Sequence, residues 1–84
     1  MKLIICLNCD DVFKLDYKER TCKCGRAKGK YLKDGYNAVY SGGMPLGFNN
    51  SSLTSAMRNQ PEEGMGRVFE AFVIPKSCPT MKVE

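Results

Sequence analysis

The chain has 84 residues, a formal net charge of +4 and no histidine. At this length we expect a single domain, residues 1–84, close to the smallest size at which apolar burial alone stabilises a fold. The lack of histidine excludes the commonest general base and the Ser-His and Cys-His nucleophile pairs, so we do not expect an enzyme.

Four of the five cysteines form two close pairs: Cys6 with Cys9, and Cys22 with Cys24. Paired thiols at this spacing are typical of a tetrahedral zinc site, and four thiolates leave no open position for a catalytic water. Disulfides are the alternative for so small a chain, but they belong to secreted proteins. The apolar run at 3–5 is too short for a secretory signal or a membrane span. We therefore expect a cytoplasmic protein with one structural Zn²⁺ on these four cysteines.

Two segments beside the cysteine pairs have the pattern of strands. Residues 2–6 (KLIIC) are apolar and contain β-branched side chains, which predicts a strand that delivers its terminal cysteine to the metal. Residues 12–17 (VFKLDY) alternate between apolar and polar, which predicts a half-buried strand with Phe13, Leu15 and Tyr17 on its buried face.

The pairs CLNC and CKC, with Phe13 four residues after Cys9 and Gly25 directly after Cys24, resemble a zinc ribbon, in which two rubredoxin-like knuckles hold one ion. The resemblance covers residues 1–30, which end in a basic connector at 26–30, and departs at CxC, where a ribbon usually has CxxC. The whole chain is also similar to a group of short zinc-ribbon proteins of bacteria and their phages, through TCKCG, PLGF, NQP and AFVIP. This likeness implies a ribbon and a zinc site rather than a particular activity.

Residues 31–84 are predicted to be rich in β-structure. Within 31–40 the DG turn signal predicts a hairpin. Residues 41–52 (SGGMPLGFNNSS) predict a glycine-rich loop. Residues 67–74 (RVFEAFVI), apolar on both faces, predict a strand at the centre of the sheet.

A short helix is predicted near 51–60, where Leu53, Ala56 and Met57 recur at helical spacing. Asn50 or Ser51 would cap it, and the proline at position 61 would stop it. The predicted fold is a small α+β domain, in which an N-terminal zinc ribbon is fused to a mostly antiparallel sheet with one short helix. The fifth thiol, at position 78, is predicted to be unpaired and structural, with competition for the metal as the alternative.

Positive charge is concentrated after the second cysteine pair, because residues 18–33 contain seven cationic residues and one anionic residue. Such a run attracts phosphate, although a solvated surface explains it equally well. A glycine-rich loop that leads into a helix also suits an anion. The predicted ligand-binding residues are Arg26, Lys28, Lys30, Gly47, Asn49, Asn50, Ser51 and Arg58.

The leading functional hypothesis is therefore a non-enzymatic module that binds a phosphate-bearing ligand. One form is capture of a small nucleotide in a pocket, between the subunits of a homo-oligomer, as in phage proteins that sequester nucleotide signals. The other is nucleic-acid binding, in which cations follow the backbone and tyrosines stack on bases. The alternative is a protein-interaction or oligomerisation module in which zinc is only structural. The apolar residues that would form its surface are Met44, Leu46, Phe48, Leu53 and Met57.

Overall fold

The computed structural model describes all residues, 1–84, as eight strands and one helix. In chain order these are β1 (Lys2–Cys6), β2 (Val12–Lys14), β3 (Arg20–Thr21), β4 (Lys28–Tyr31), β5 (Ala38–Ser41), β6 (Gly43–Phe48), α1 (Asn50–Arg58), β7 (Ala71–Val73) and β8 (Met81–Val83). Sheet A has the strand order β2-β1-β6-β7 and sheet B the order β3-β4-β5-β8. Every pair is antiparallel except β5 with β8. The prediction of a small, mostly antiparallel α+β fold with one short helix is confirmed.

The core contains residues of both sheets. Sheet A contributes Ile4 and Phe13, and sheet B contributes Ala38, Tyr40 and Met81, all of them buried in one cluster. The chain crosses from β5 to β6, and so from sheet B to sheet A, through Gly42 alone. This glycine has a φ of +78°, a conformation that residues with a Cβ rarely adopt.

The two sheets have outer faces of opposite character. In sheet A, the register aligns Leu3 with Leu46 and Val73, and Ile5 with Met44, on the face away from the core, and places Lys14 beside Leu3 on the edge strand β2. In sheet B, the outer face of β4, β5 and β8 holds three lysines with a valine and a serine: Lys28, Lys30, Lys82, Val39 and Ser41. Apart from Lys14 at its edge, the outer face of sheet A is therefore apolar, whereas that of sheet B is basic.

Two predictions about strands are wrong in position. The segment 41–52 is not a loop, because half of it forms β6, the longest strand, which pairs with β1 and β7. The segment 67–74 is not central, because only Ala71–Val73 is a strand and it lies at the edge of sheet A. The composition of residues 67–74 predicted a strand there but did not show which strands would lie beside it.

Smaller differences concern the ends of elements. The strand predicted at 12–17 is β2, which stops at Lys14, so that Leu15 is still buried but Tyr17 is 62% exposed. The predicted connector at 26–30 contributes its second half to β4. The helix α1 is where it was predicted, but its cap is Asn49, whose Oδ1 accepts the N–H of Ser52 at 3.1 Å. With nine residues, α1 is too short to cross a membrane, and it is the only helix.

The predicted hairpin at 31–40 is confirmed, and Asp34 organises its turn. The carboxylate accepts the backbone N–H groups of Tyr36 and Asn37, both at 2.9 Å, and the Asn37 side-chain amide at 2.6 Å. These hydrogen bonds, that of the Tyr36 N–H first, lower the pKa of Asp34 below its usual 3.8.

Because the pKa of Asp34 is lower in the folded than in the unfolded chain, its charge stabilises the fold above the unfolded pKa, and this contribution is lost as the pH falls through the folded pKa. We expect a carbon-13 NMR titration of the Asp34 carboxyl to give a midpoint below the usual value. The difference in stability between the native chain and Asp34→Asn should shrink over the same acidic range. A midpoint at or above the usual value would contradict this role in the turn.

Candidate metal centre and ligand cleft

The two cysteine pairs meet at one end of the molecule. The Sγ atoms of Cys6, Cys9, Cys22 and Cys24 all lie within 4.8 Å of one another. Cys24 Sγ is 3.6 Å from that of Cys6 and 3.5 Å from that of Cys22. Four thiolates about 2.3 Å from a tetrahedral zinc ion would be separated by about 3.8 Å. The four sulfurs therefore fit a single metal ion.

Each pair lies in the turn of a different hairpin. In the first, Cys6 donates its N–H to the carbonyl of Asp11 and accepts that of Asp10, both at 2.9 Å. In the second, Cys22 donates to Ala27 at 3.0 Å and accepts from Gly25 at 3.1 Å. The outer bonds of the two turns span the same number of residues, but in the second turn the second cysteine and the inner bond come one residue earlier.

The residue after the second cysteine of each pair has a positive φ: 61° at Asp10 and 81° at Gly25. This conformation turns each chain back toward its own hairpin after the last thiol. At Gly25 this conformation has little cost, because glycine has no Cβ. Asp10, a residue type that tolerates this region better than most, has the same role in the first turn.

Backbone N–H groups point at the two buried sulfurs. Asn8 donates to Cys6 Sγ at 3.4 Å, and Ala27 donates to Cys22 Sγ at 3.3 Å. Burial raises the pKa of the Cys22 thiol, but the Ala27 N–H and the neighbouring thiols lower it more, to about 6. At Cys6 the N–H groups of Cys9 and Asn8 lower the pKa, whereas burial and the other thiols bring it to about 11. The Arg26 N–H lowers the pKa of Cys24 as well. Two thiols of the group therefore ionise more readily than usual, and full ionisation of all four calls for a cation.

Two contacts join the turns around the sulfurs. The N–H of Lys23 donates to the Asp11 carboxylate at 3.0 Å, and Arg26 Nη1 donates to Asn8 Oδ1 at 3.3 Å. Because the first turn belongs to sheet A and the second to sheet B, a metal ion here would link the two sheets.

Cys78 is outside this group. Its Sγ is 3.5 Å from Thr80 Oγ1, and the side chain packs against the core. The position agrees with the predicted structural role rather than with competition for the metal.

The predicted ligand-binding residues do not form one site. Arg26 is beside the second cysteine turn, while Lys30 and Lys28 lie on β4, where Lys28 Nζ pairs with Glu84 at 3.6 Å and Glu19 at 3.9 Å. The others belong to the sheet A side of the chain, on β6 and on α1 with its cap: Gly47, Asn49, Asn50, Ser51 and Arg58.

Other residues of the chain already cover or bond to much of the segment that was predicted as a glycine-rich loop and helix start. A Cβ on Gly47 would lie 2.5 Å from Cζ of Phe72, whose ring covers this glycine. Asn50 Oδ1 accepts the amino group of Met1 at 3.1 Å, and Ser52 Oγ accepts the N–H of Glu70 at 2.9 Å. The start of α1 is thus tied to the chain, while Asn50, Ser51 and Arg58 also line a separate open recess beside the helix.

A cleft of about 770 Å³ lies at the other end of β1, away from the cysteines. Its lining combines two lysines and two tyrosines with neutral polar and apolar residues, and includes no carboxylate: Met1, Lys2, Lys14, Tyr31, Gly35, Tyr36, Asn50, Leu53, Thr54, Met57 and Thr80. Of the predicted ligand-binding residues, only Asn50 lines this cleft.

Lys2 holds the two tyrosines of the cleft in place. Its Nζ lies 5.3 Å from the ring centroid of Tyr36 and 5.9 Å from that of Tyr31. It donates to the carbonyls of Tyr36 and, at 2.9 Å, of Thr80. Burial lowers the pKa of its ammonium. Lys14 has no ion pair within the chain.

Sequence reasoning missed Lys2 and Lys14 as candidate site residues. The tyrosines at 31 and 36 are candidates for stacking from the sequence alone, and strand alternation directs Lys14 away from the core. Aromatic content and strand alternation were therefore the sequence signals for these residues, but neither predicts that they lie in one cleft.

Comparisons with protein-family models, with curated proteins and with solved structures find no match to this chain.

Proposed function

We propose that this protein is a non-enzymatic zinc-ribbon module that binds a small nucleotide in the cleft at the end of β1. The observation that carries the proposal is the lining of the cleft, which offers cationic and aromatic groups and no carboxylate. A phosphate group needs the cations, and a base needs an aromatic surface.

In this proposal the zinc ion is structural. The ligands are Cys6, Cys9, Cys22 and Cys24, and four thiolates fill the coordination shell, so the ion stabilises the fold and leaves no position for a substrate. Its effect on the cleft is indirect. By linking the turns of the two sheets it fixes β1, whose first residue, Lys2, orients both tyrosines.

The phosphates are assigned to Lys14, whose charge is not neutralised by another residue. The base is assigned to Tyr36, which is 66% exposed at the rim of the cleft. Thr54 and Asn50 supply hydroxyl and amide groups for hydrogen bonds. A volume of about 770 Å³ lies within the range of small-molecule sites, roughly 300–1,000 Å³.

Nucleic-acid binding on sheet B is the second candidate, supported by its basic outer face. The register places Val39 between Lys30 and Lys82, and neither lysine forms an ion pair within the chain. A flat lysine-bearing surface of this kind suits an extended phosphate backbone better than a single nucleotide.

Calorimetry tests the two candidates. The ligands are adenosine and guanosine triphosphates for the cleft, and a single-stranded DNA of about twelve nucleotides for sheet B. We expect Lys14→Glu and Tyr36→Ala each to weaken triphosphate binding about tenfold or more, since loss of a stacking surface alone costs roughly 1–3 kcal/mol. Lys30→Glu, on the other sheet, is the matched control and should leave it unchanged.

The opposite pattern would contradict nucleotide binding in the cleft. If Lys30→Glu abolishes DNA binding, if affinity falls steeply with salt, and if Lys14→Glu has no effect, the function belongs to the outer face of sheet B. If neither the triphosphates nor the DNA bind, the proposal of phosphate recognition is wrong for both the cleft and sheet B.

A further inference from the structure

The edge strand β7 has the composition of a central strand. Phe72 and Val73 are 53% and 60% exposed, and all three residues of the strand are accessible although the segment is apolar on both faces. Only β6 pairs with it, and no other element lies on its outer side. An edge strand is usually protected by charge, by proline or by a covering element. Here Pro75 ends the run, but the strand itself carries no charged residue.

The backbone of β7 presents unpaired groups to solvent. The carbonyl of Glu70 accepts the N–H of Asn49 at 2.9 Å, and the N–H of Ile74 donates to Pro45 at 3.0 Å. In an antiparallel pair the bonding direction alternates, so the N–H and C=O groups of residues 70, 72 and 74 face β6. The corresponding groups of Ala71 and Val73 therefore point outward. They offer two donors and two acceptors at the spacing of a further strand.

We propose that β7 pairs with β7 of a second copy of this chain, in antiparallel orientation about a two-fold axis at Phe72. In this register Ala71 lies opposite Val73 of the second copy, and their outward N–H and C=O groups bond to each other. The two Phe72 side chains meet on the axis as a close, non-hydrogen-bonded pair. Sheet A of each copy becomes half of one continuous eight-stranded sheet.

Charge complementarity favours this register. It brings Glu70 opposite Ile74 of the second copy, and Lys76 follows two residues later, in the bend after Pro75. A diagonal cross-strand neighbour is within reach of long side chains. Neither Glu70 nor Lys76 forms an ion pair within its own chain. The two-fold axis creates two such Glu-Lys contacts, one on each side of the phenylalanine pair.

The size of the contact limits its strength. One strand pair with its side chains buries less than the roughly 800 Å² per partner of a standard interface. We therefore expect a dimer that forms at micromolar concentrations and dissociates on dilution. A second copy suits the strand because the same seven-residue segment, 70–76, supplies both sides of the hydrogen-bond pattern and both charges.

Sedimentation equilibrium of the zinc-loaded chain from low to several hundred micromolar tests the proposal. We expect a monomer–dimer equilibrium that is lost in Val73→Pro, which removes an outward N–H and leaves the bonds to β6 in place. Val12→Lys is the matched control: this exposed valine lies on β2, at the opposite edge of sheet A, and its substitution should leave the equilibrium unchanged.

Charge reversal tests the register without relying on proline. Glu70→Lys and Lys76→Glu should each weaken the dimer about fivefold, and the double variant should restore it. Monomer at every concentration would overturn the proposal. A dimer that survives Val73→Pro and the single reversals but is lost in Val12→Lys would overturn it too, because it would place the contact on the apolar outer face of sheet A.

Discussion

Cys22→Ser is expected to remove the metal and to abolish cooperative thermal unfolding. Cys22 is buried between the two sheets, and its sulfur lies with three others inside 4.8 Å. The core to which it belongs is small, a cluster of ten buried residues that includes Cys6 and Cys22. A structural zinc site supplies about 10 kcal/mol or more of coupled binding and folding energy, comparable to the whole net stability of a domain, about 5–15 kcal/mol. Its loss should leave the sheets unlinked at the cysteine end.

Zinc content by mass spectrometry and a calorimetric scan measure both effects on one sample. Cys78→Ser is the matched control, because this thiol is outside the cluster and contacts Thr80 instead. It should retain one zinc per chain and a single unfolding transition. If the Cys22→Ser protein keeps stoichiometric zinc and an unchanged transition, the four sulfurs are not the metal site and the ribbon is wrong.

The parts of the fold that sequence predicted well depend on short-range signals. The strand at 2–6, the hairpin turn at Asp34 and the helix near 51–60 follow from residue types a few positions apart. The convergence of the cysteines also followed from spacing, since paired thiols constrain a turn on each side. In each case the residues that determine the local structure lie a few positions apart along the chain.

The prediction of β6 as a loop failed because its glycines serve packing between distant segments. A Cβ on Gly43 would lie 2.5 Å from Cγ2 of Ile4, and a Cβ on Gly47 would meet Phe72 equally closely. These glycines allow β6 to be covered by residues from the chain start and from β7. Pro45 in a central strand adds to the difficulty, because proline is normally confined to edges. Local composition alone favours a loop.

The cleft could not be predicted for a similar reason. Lys2 and Tyr36 are 34 positions apart and meet only because β1 and the Asp34 turn end at the same side of the molecule. The cationic run at 18–33 dominates the sequence, yet Lys28 is neutralised by two glutamates and Lys30 faces away from the core. Charge density along a chain did not show which cations share a cavity.

Gly42→Ala is expected to destabilise the fold by about 3 kcal/mol or more, for two reasons that add. The φ of +78° disfavours any residue with a Cβ, and that Cβ would overlap the carbonyl oxygen of Arg26. The clash is with backbone next to the second cysteine turn, so relief would require movement of β6 or of the turn itself. In a domain of this size, 1 kcal/mol corresponds to about 4–8 °C, so the thermal midpoint should fall by roughly 15 °C or more.

Gly64→Ala separates the two causes. Gly64 has a similar φ, +85°, but nothing lies within 4 Å of the position that a Cβ would take there, so only the conformational cost of about 1 kcal/mol remains. Calorimetry of both zinc-loaded variants gives the steric contribution as the difference between their midpoints. Equal midpoints would mean that the chain around Gly42 makes room for a Cβ at no steric cost. The tight passage from sheet B to sheet A would then not limit the stability of the fold.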